Sequence, residues 1–358
     1  MMTQRLIKLY LAVLCFFSIQ NIYCQGLYAG IEIGSKGVKT SVLDVDNIKK
    51  GDYEIKSFWT ENVGIAKGIA IDGKLAVEDI KKAGETVLAS YLKIKNEFKV
   101  PEDNIFIVGS SGVGMASNTK DLIDVVQKLT GKDLDFIDAQ MEGKMLLKGC
   151  IPPVDYANST VLDIGGGNTK GGFVDTYNDN NFVFFPLSFN YGTITLTETI
   201  NKKVKSDSNA DFIEKLFGTL PSLREKIKNM YNSKPLALDK PNLYMSGGAV
   251  WAFFTLYNGQ EAKNNFSAFT LEEVINFDAM IKNNFSKFEE LAKQNKEVER
   301  VLKTYSQKHL IAGANLILVC LEDIPNINNK KLFFAKQGQI AWLVSYIVDR
   351  SKKIKKVW

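Results

Sequence analysis

Two acidic residues in this chain close apolar runs, each two positions ahead of a glycine turn. Glu32 stands in Ile31-Glu32-Ile33-Gly34-Ser35-Lys36-Gly37-Val38-Lys39, and Asp163 in Leu162-Asp163-Ile164-Gly165-Gly166-Gly167-Asn168-Thr169-Lys170. Glycine accepts positive φ and lets the backbone come close to a ligand, so successive N–H groups can converge on an anion. A carboxylate cannot itself bind phosphate, but it can hold a hydrated Mg²⁺ between itself and one. Strand-glycine-strand is also how ordinary hairpins are built. Two such turns, each led by an acid, predict two related half-domains gripping a phosphate chain across a cleft. Gly34, Ser35, Gly37, Gly165, Gly166, Gly167, Asn168 and Thr169 are then the anion-binding residues, with Asp163 and Glu32 as the candidate metal positions. The ordinary reading of Asp163 is a turn-capping Asx residue.

The elements that must position these residues follow from periodicity. Strands are expected at Leu27–Ile33, Val38–Val45, Tyr53–Trp59, Ile105–Gly109 and Phe136–Ile137, with helices at Val77–Ile94, Asp121–Leu129 and from Gln140 to Lys148. Pro152-Pro153 then breaks the chain. The second half repeats the plan: strands Thr160–Ile164, Gly171–Asp175 and Asn181–Pro186, a helix near Gly192–Ile200, another at Asp211–Met230, strand Leu243–Met245, and helix Gly248–Leu256. Leu271–Tyr305 reads as mostly helical, Leu310–Leu321 as an apolar helix, Leu332–Phe334 as a strand and Gln339–Lys352 as a last helix. A β-β-β-α-β-α-β-α unit used twice predicts an α/β protein with two sheets facing a cleft. Glu142 stands near the start of its helix, where negative charge suits the helix dipole. Lys170 either neutralises phosphate as a point charge or simply begins an exposed strand. Gly247 and Gly248 either admit a ligand or make a tight strand-to-helix turn.

Composition narrows the chemistry. The 358 residues suit two domains, and 45% hydrophobic content supports two cores. Arg5 and Lys8 precede an apolar run from Leu9 to Ile19, too short to span a bilayer comfortably, so residues 1–24 read as a cleaved secretory signal with the cut after Cys24. An uncleaved anchor is the alternative; a lipoprotein reading suffers from bulky Tyr23. Cleavage implies export, periplasmic or secreted, with no stable membrane insertion afterwards. The net charge of +5, milder still without the leader, is too weak to argue for nucleic acid. Only Cys150 and Cys320 survive cleavage, and they read as two small buried hydrophobes rather than a disulfide framework. A single histidine, His309, removes most zinc sites and most histidine-activated nucleophiles. Carboxylates, hydroxyls, lysines, glycine-rich backbone and a bound metal remain.

On these motifs the chain resembles the actin/hexokinase/Hsp70 ATPase superfamily, and within it the Ppx/GppA family of exopolyphosphatases and guanosine pentaphosphate phosphohydrolases. Ala29-Gly30-Ile31-Glu32-Ile33-Gly34-Ser35 resembles the family's A-x-I-D-x-G-S. Val161 to Thr169 resembles V-x-D-I-G-G-G-S-T, and Gly192-Thr193-Ile194-Thr195-Leu196-Thr197-Glu198 matches G-x-x-x-L-T-E. Ser246-Gly247-Gly248-Ala249 stands at the third glycine turn, and Ile311-Ala312-Gly313-Ala314 is similar to the late I-x-x-G-A helix. The resemblance implies two ribonuclease H-like (actin-like ATPase) domains, 26–150 and 151–337, with a C-terminal helix within 338–358 that packs back on the first.

The same comparison exposes departures at the cleft. The family's A-T-S-A-V-R-E-A-x-N appears as Gly109 to Asn118, with Gly114 for the arginine and Met115 for the glutamate thought to prepare the attacking water. The G-x-E-E-A-R stretch appears as Ala139 to Lys144 and keeps one carboxylate of two, Glu142. The family's G-G-G-S-T-E turn ends here in Lys170 instead of glutamate, and the opening aspartate is Glu32. Three functions compete. The first is an exported phosphoanhydride hydrolase acting on polyphosphate or nucleotide polyphosphates, with Mg²⁺ and with Asp163, Glu142 and Glu32 as the catalytic carboxylates. The second is an impaired relative that binds a phosphorylated ligand or a protein in the same cleft. The third is a nucleotide-driven kinase or ATPase, which export and the helix start at Gly192 disfavour. A homodimer stays open.

Overall fold

The computed structural model describes residues 26–47, 52–175 and 183–353; the leader and the lysines beyond residue 353 lie outside the described residues. Two mixed sheets carry the fold. The first has the order β3-β2-β1-β4-β5, built from β1 (Gly26–Ile33), β2 (Gly37–Asn47), β3 (Asp52–Asn62), β4 (Ile105–Gly109) and β5 (Leu134–Phe136). The second has the order β10-β11-β9-β6-β7-β8, from β6 (Ser159–Ile164), β7 (Thr169–Asp175), β8 (Val183–Phe189), β9 (Asn242–Ser246), β10 (Phe266–Phe269) and β11 (Lys331–Ala335). In each sheet an antiparallel three-strand meander continues into parallel strands reached through helices. The expected α/β architecture with two sheets is met. Strand β10 had no counterpart in the sequence reading.

The longer helices are α1 (Val77–Asn96), α2 (Thr119–Thr130), α3 (Ala139–Cys150), α4 (Thr193–Asn201), α5 (Asn209–Asn232), α6 (Gly248–Asn258), α7 (Leu271–Asn283), α8 (Lys296–Thr304), α9 (Gln307–Glu322) and α10 (Gly338–Lys353). None of the described helices is long and apolar enough to cross a membrane.

Strand periodicity explains where the cores lie. In β1, Ala29, Ile31 and Ile33 point to one face and pack with Ile80, Val87 and Ile94 of α1. Tyr28 points to the other face, into a core shared by both sheets: Leu43 and Val108 from the first, Val161, Val174 and Tyr244 from the second, with α3 and α10 between them. The second sheet's far face, with Leu162 and Ile164, packs on α4, α5, α6 and α9. Close approach in the shared layer rests on glycines. A Cβ at Gly30 would come within 2.8 Å of Ile347 of α10, and one at Gly149 within 2.5 Å of Ala341. Cys150 and Cys320 are both free and buried.

Candidate functional site

Register brings each acid to a lysine. The β1–β2 ladder sets Glu32 opposite Lys39, and the β6–β7 ladder sets Asp163 opposite Lys170. Both hairpins use a four-residue loop, closed by Gly34 N–H to Gly37 O at 2.9 Å and by Gly165 N–H to Asn168 O at 3.1 Å. Period 2 sends Glu32 to the face of Tyr28 and Asp163 to the face of Val161, so both acids emerge from the shared layer. One cavity collects them: Glu32, Gly34, Ser35 and Gly37 line it from the first half. Glu142 of α3 joins them, and Asp163, Gly165, Gly166, Gly167, Asn168, Lys170, Gly247 and Gly248 line it from the second part of the chain. The turns nearly touch. A Cβ on Gly166 would lie 2.9 Å from Ser35 Cβ, and one on Gly167 would lie 2.9 Å from the Gly112 backbone. Asn168 Nδ2 donates to Ser111 Oγ at 2.9 Å, further joining the halves.

The orientation of the second turn has an identifiable cause. A helix start leaves N–H donors without intrahelical acceptors. In α4 these donors take the carbonyls of the turn: Thr193 N–H to Gly165 O at 2.9 Å, Ile194 N–H to Gly166 O at 2.9 Å, and Thr195 N–H to Gly166 O at 3.2 Å. The Thr195 hydroxyl adds Gly167 O at 2.8 Å. Gly192 permits this approach, because a Cβ there would sit 2.4 Å from Gly165 O. With their carbonyls held by α4, the turn peptides can present N–H groups on the opposite side, toward the cavity.

Electrostatics divides the carboxylates. Lys170 Nζ lies between Glu142 Oε1, at 2.8 Å, and Asp163 Oδ2, at 2.9 Å, with all three side chains nearly inaccessible to solvent. Helix α3 brings Glu142 there: Asp138 caps its first turn by accepting from Met141 N–H at 2.7 Å, and Gly143 lets the helix press against Gly171 of β7. Glu142 Oε2 accepts from Ser111 N–H at 2.8 Å, and Asp163 Oδ1 accepts from Ser246 Oγ at 2.8 Å. Burial alone would lower the Lys170 pKa, but attraction to Asp163 and Glu142 holds it above its ordinary value. Glu32 differs. Its Oε1 meets Lys39 at 3.3 Å, whereas its buried Oε2 has no hydrogen-bond partner among the described residues. Burial pushes its pKa up to about 7 against the pull of Lys39, with Glu142 adding to the rise. Burial and neighbouring Lys67 bring Lys36 down to about 8.

The expectation of Mg²⁺ held by Asp163 therefore meets a different arrangement. Both Asp163 oxygens are already engaged, one by a hydroxyl and one by an ammonium, and Mg²⁺ needs oxygen donors in a near-octahedral shell. No group of three or more His, Cys, Asp or Glu able to hold a metal occurs among the described residues. The donor set does not fit the ion. Thr169 also departs from expectation: it is absent from the cavity lining, and its hydroxyl donates to Tyr191 O at 2.9 Å. Gly247, at φ 92°, and Gly248 are constrained by packing as well, with a Cβ on Gly248 falling 1.8 Å from Tyr305 Oη. Met115 is not among the lining residues. His309 packs at the start of α9, its Nδ1 2.7 Å from Ser306 Oγ, and burial lowers its pKa to about 4.

Sequence reasoning missed Lys36, Lys39, Trp251, Arg300 and Tyr305, all of which line the cavity. Lys36 sits 5.4 Å from the Tyr305 ring centroid, and the Arg300 guanidinium 4.7 Å from that of Trp251. For Lys39 a signal existed: a four-residue hairpin loop places residue i opposite i+7. For Trp251, Arg300 and Tyr305 none did, because α6, α8 and the loop before α9 reach the cavity only through tertiary packing.

Comparison with known proteins gives a consistent picture. The model of the Ppx/GppA phosphatase family matches residues 45–298. A guanosine-5'-triphosphate,3'-diphosphate pyrophosphatase of Pseudoalteromonas translucida is 27% identical over 190 residues, 52% of this chain and 36% of that protein. A putative exopolyphosphatase of Haemophilus influenzae is 27% identical over 143 residues, 40% of this chain and 42% of that one. The chain thus spans well under two thirds of these curated relatives. Among solved structures, the Aquifex aeolicus Ppx/GppA family member covers 93% of this chain and 99% of its own, with TM-score 0.62 and 21% identity. An exopolyphosphatase from Cytophaga hutchinsonii covers 89% and 98%, with TM-score 0.64 and 17% identity. At these identities the structures speak for the fold.

Two outcomes follow from the geometry. Gly192→Ala forces α4 away from the glycine turn, an overpacking cost of about 1–3 kcal/mol, read as a lower urea midpoint with an unchanged slope. The raised Glu32 pKa makes the folded state bind its proton more tightly than the unfolded one. The stabilisation is therefore complete below the ordinary value of 4.5 and is lost as pH rises through about 7. Glu32→Gln is expected to remove this decline, gaining about 3 kcal/mol over wild type at pH 8 and little at pH 4. Parallel pH-stability curves for the two proteins would contradict the assignment.

Proposed function

The chain belongs to the Ppx/GppA phosphatase family, and from that premise we propose that its cleft binds the phosphate chain of a polyphosphate or nucleotide polyphosphate and hydrolyses the terminal phosphoanhydride slowly. The observation that carries this reading is the pair of facing glycine turns around one cavity that holds Lys36, Lys39, Lys170 and Arg300 against Glu32, Glu142 and Asp163. The balance is net positive, as an anion requires, and becomes more so when Glu32 is protonated. In this reading the backbone N–H groups of Ser35, Gly166 and Gly167, residues that line the cavity, meet the phosphate oxygens, and the lysines carry the charge that develops on them.

Glu32 keeps a buried oxygen with neither a hydrogen-bond nor an ion-pair partner among the described residues, whereas Glu142 Oε1 is met by the Lys170 ammonium. With its pKa pushed up to about 7, Glu32 has the properties of a general base. Ionised, it accepts a proton from water as the water oxygen bonds to the terminal phosphorus. The bridging P–O bond breaks, releasing orthophosphate and a chain one phosphate shorter. Asp163 and Glu142, tied to Lys170, hold the site's geometry. A second reading, binding without turnover, draws on Met115, which stands where the family's water-preparing glutamate is expected and does not line the cavity.

Export belongs to the same proposal. Residues 1–24 act as a cleaved leader, so the ligand is met outside the cytoplasm, and N-terminal sequencing of protein from its native host is expected to begin at Gln25. A full-length, membrane-retained chain would overturn the cleavage.

Phosphate release from tripolyphosphate, long-chain polyphosphate and guanosine pentaphosphate tests the chemistry, alongside calorimetric binding of the same compounds. Slow turnover is expected, with kcat rising through pH about 7. Glu32→Gln should lower kcat by about 10²–10⁴-fold and leave binding within a few-fold. Turnover that survives this change places the base elsewhere. Saturable binding without turnover selects the second reading, and absence of both leaves only the fold.

A further inference from the structure

We propose that the Lys170 ammonium takes the place of a divalent cation in this cleft, so that the phosphate chain is received free of metal. The inference rests on the phosphate-binding reading for its ligand but on the side-chain geometry for the cation. Asp163 and Glu142 come from different elements, β6 and α3, and would repel each other if they converged without a counterion. A hydrated Mg²⁺ would normally bridge such a pair to phosphate. Here Nζ of Lys170 does so, 2.9 Å from Asp163 Oδ2 and 2.8 Å from Glu142 Oε1.

Everything around the ammonium fixes it there. The β6–β7 register sets Lys170 across from Asp163. Ser246 and the Ser111 amide hold the outer oxygens of the two acids, so neither can swing away to ligate an ion. Nζ is in ion-pair contact with one oxygen of each carboxylate, and an ammonium's three donors leave it able to meet a ligand oxygen on the side where Lys170 lines the cavity. A divalent ion entering the same space would have to displace a buried cation from two partners, leaving that cation uncompensated. The resemblance drawn from sequence puts a glutamate at this position, and the exchange for lysine reverses the local charge by two units.

The test uses the full mature chain and two probes, Mn²⁺ by electron paramagnetic resonance and tripolyphosphate by calorimetry. Wild type is expected to show no saturable Mn²⁺ site below millimolar concentration. Its tripolyphosphate affinity in EDTA should equal or exceed that in excess Mg²⁺, since Mg²⁺ competes by complexing the ligand. Lys170→Glu should create one Mn²⁺ site per chain, at least 10-fold tighter than wild type and lost again on adding Asp163→Asn. A stoichiometric wild-type Mn²⁺ site abolished by Asp163→Asn overturns the proposal, as does tripolyphosphate binding that weakens 10-fold or more in EDTA. If Lys170→Glu does not fold, the wild-type Mn²⁺ titration decides. If tripolyphosphate does not bind at all, the phosphate reading fails while the Mn²⁺ titration still decides the role of Lys170.

Discussion

The shape of the cleft on the side of the second glycine turn depends on how one short stretch of backbone is held. A glycine loop alone samples many conformations, and its N–H groups would face the cavity only part of the time. The first residues of α4 take up that freedom by giving their unsatisfied N–H groups to the carbonyls of Gly165 and Gly166. The exchange serves both partners, since the helix start loses its orphan donors and the loop loses its alternatives. Gly192 is the steric condition for it, and Thr195 adds the bond to Gly167. A sequence signature that looks like a helix cap is thus a clamp on a loop nearly thirty residues earlier in the chain.

The second organising element is the layer shared by the two sheets. Because α3 and α10 pack between them, the inward faces of β1 and β6 look at the same helices, and the acids at the strand ends arrive at one place. Glu142 reaches Lys170 only because Gly143 and Gly171 allow helix and strand to come close. The two hairpins are built alike yet are charged differently in effect. The Glu32–Lys39 pair is loose and leaves one oxygen free, whereas Asp163 and Lys170 are locked by Glu142. Near-symmetric backbone therefore carries one adjustable and one fixed carboxylate.

Most of the architecture was legible in sequence because it rests on periodicity and on glycine. Strand Ile105–Gly109 fell where it was expected, and the helices differed at their ends by a few residues, where caps such as Asp138 and Ser208 decide. Strand β10 escaped because four residues at a sheet edge carry too little pattern. The glycines that line the cavity were readable from the paired turns. Thr169 was not, since only the ladder shows its hydroxyl turned to Tyr191. The ionic state of the cleft was the least legible feature. Lys170 can be placed opposite Asp163 by counting along a hairpin, but its second partner comes from a separate helix, and the burial that makes the triad consequential is a property of the assembled layers.

Helix α10 has a consequence for how the molecule comes into being. Its residues Leu343 and Ile347 cover Gly30 on the first sheet, while Gly338 and Trp342 supply part of the cavity wall. The opening strand of the fold and its covering helix are thus separated by nearly the whole described chain, a contact whose loop-closure entropy is large. The α1 side of the first sheet can form from local contacts, but the part of its inner face that α10 covers stays open until that helix has been made and has docked. The cleft wall that Gly338 and Trp342 supply waits on the same contact.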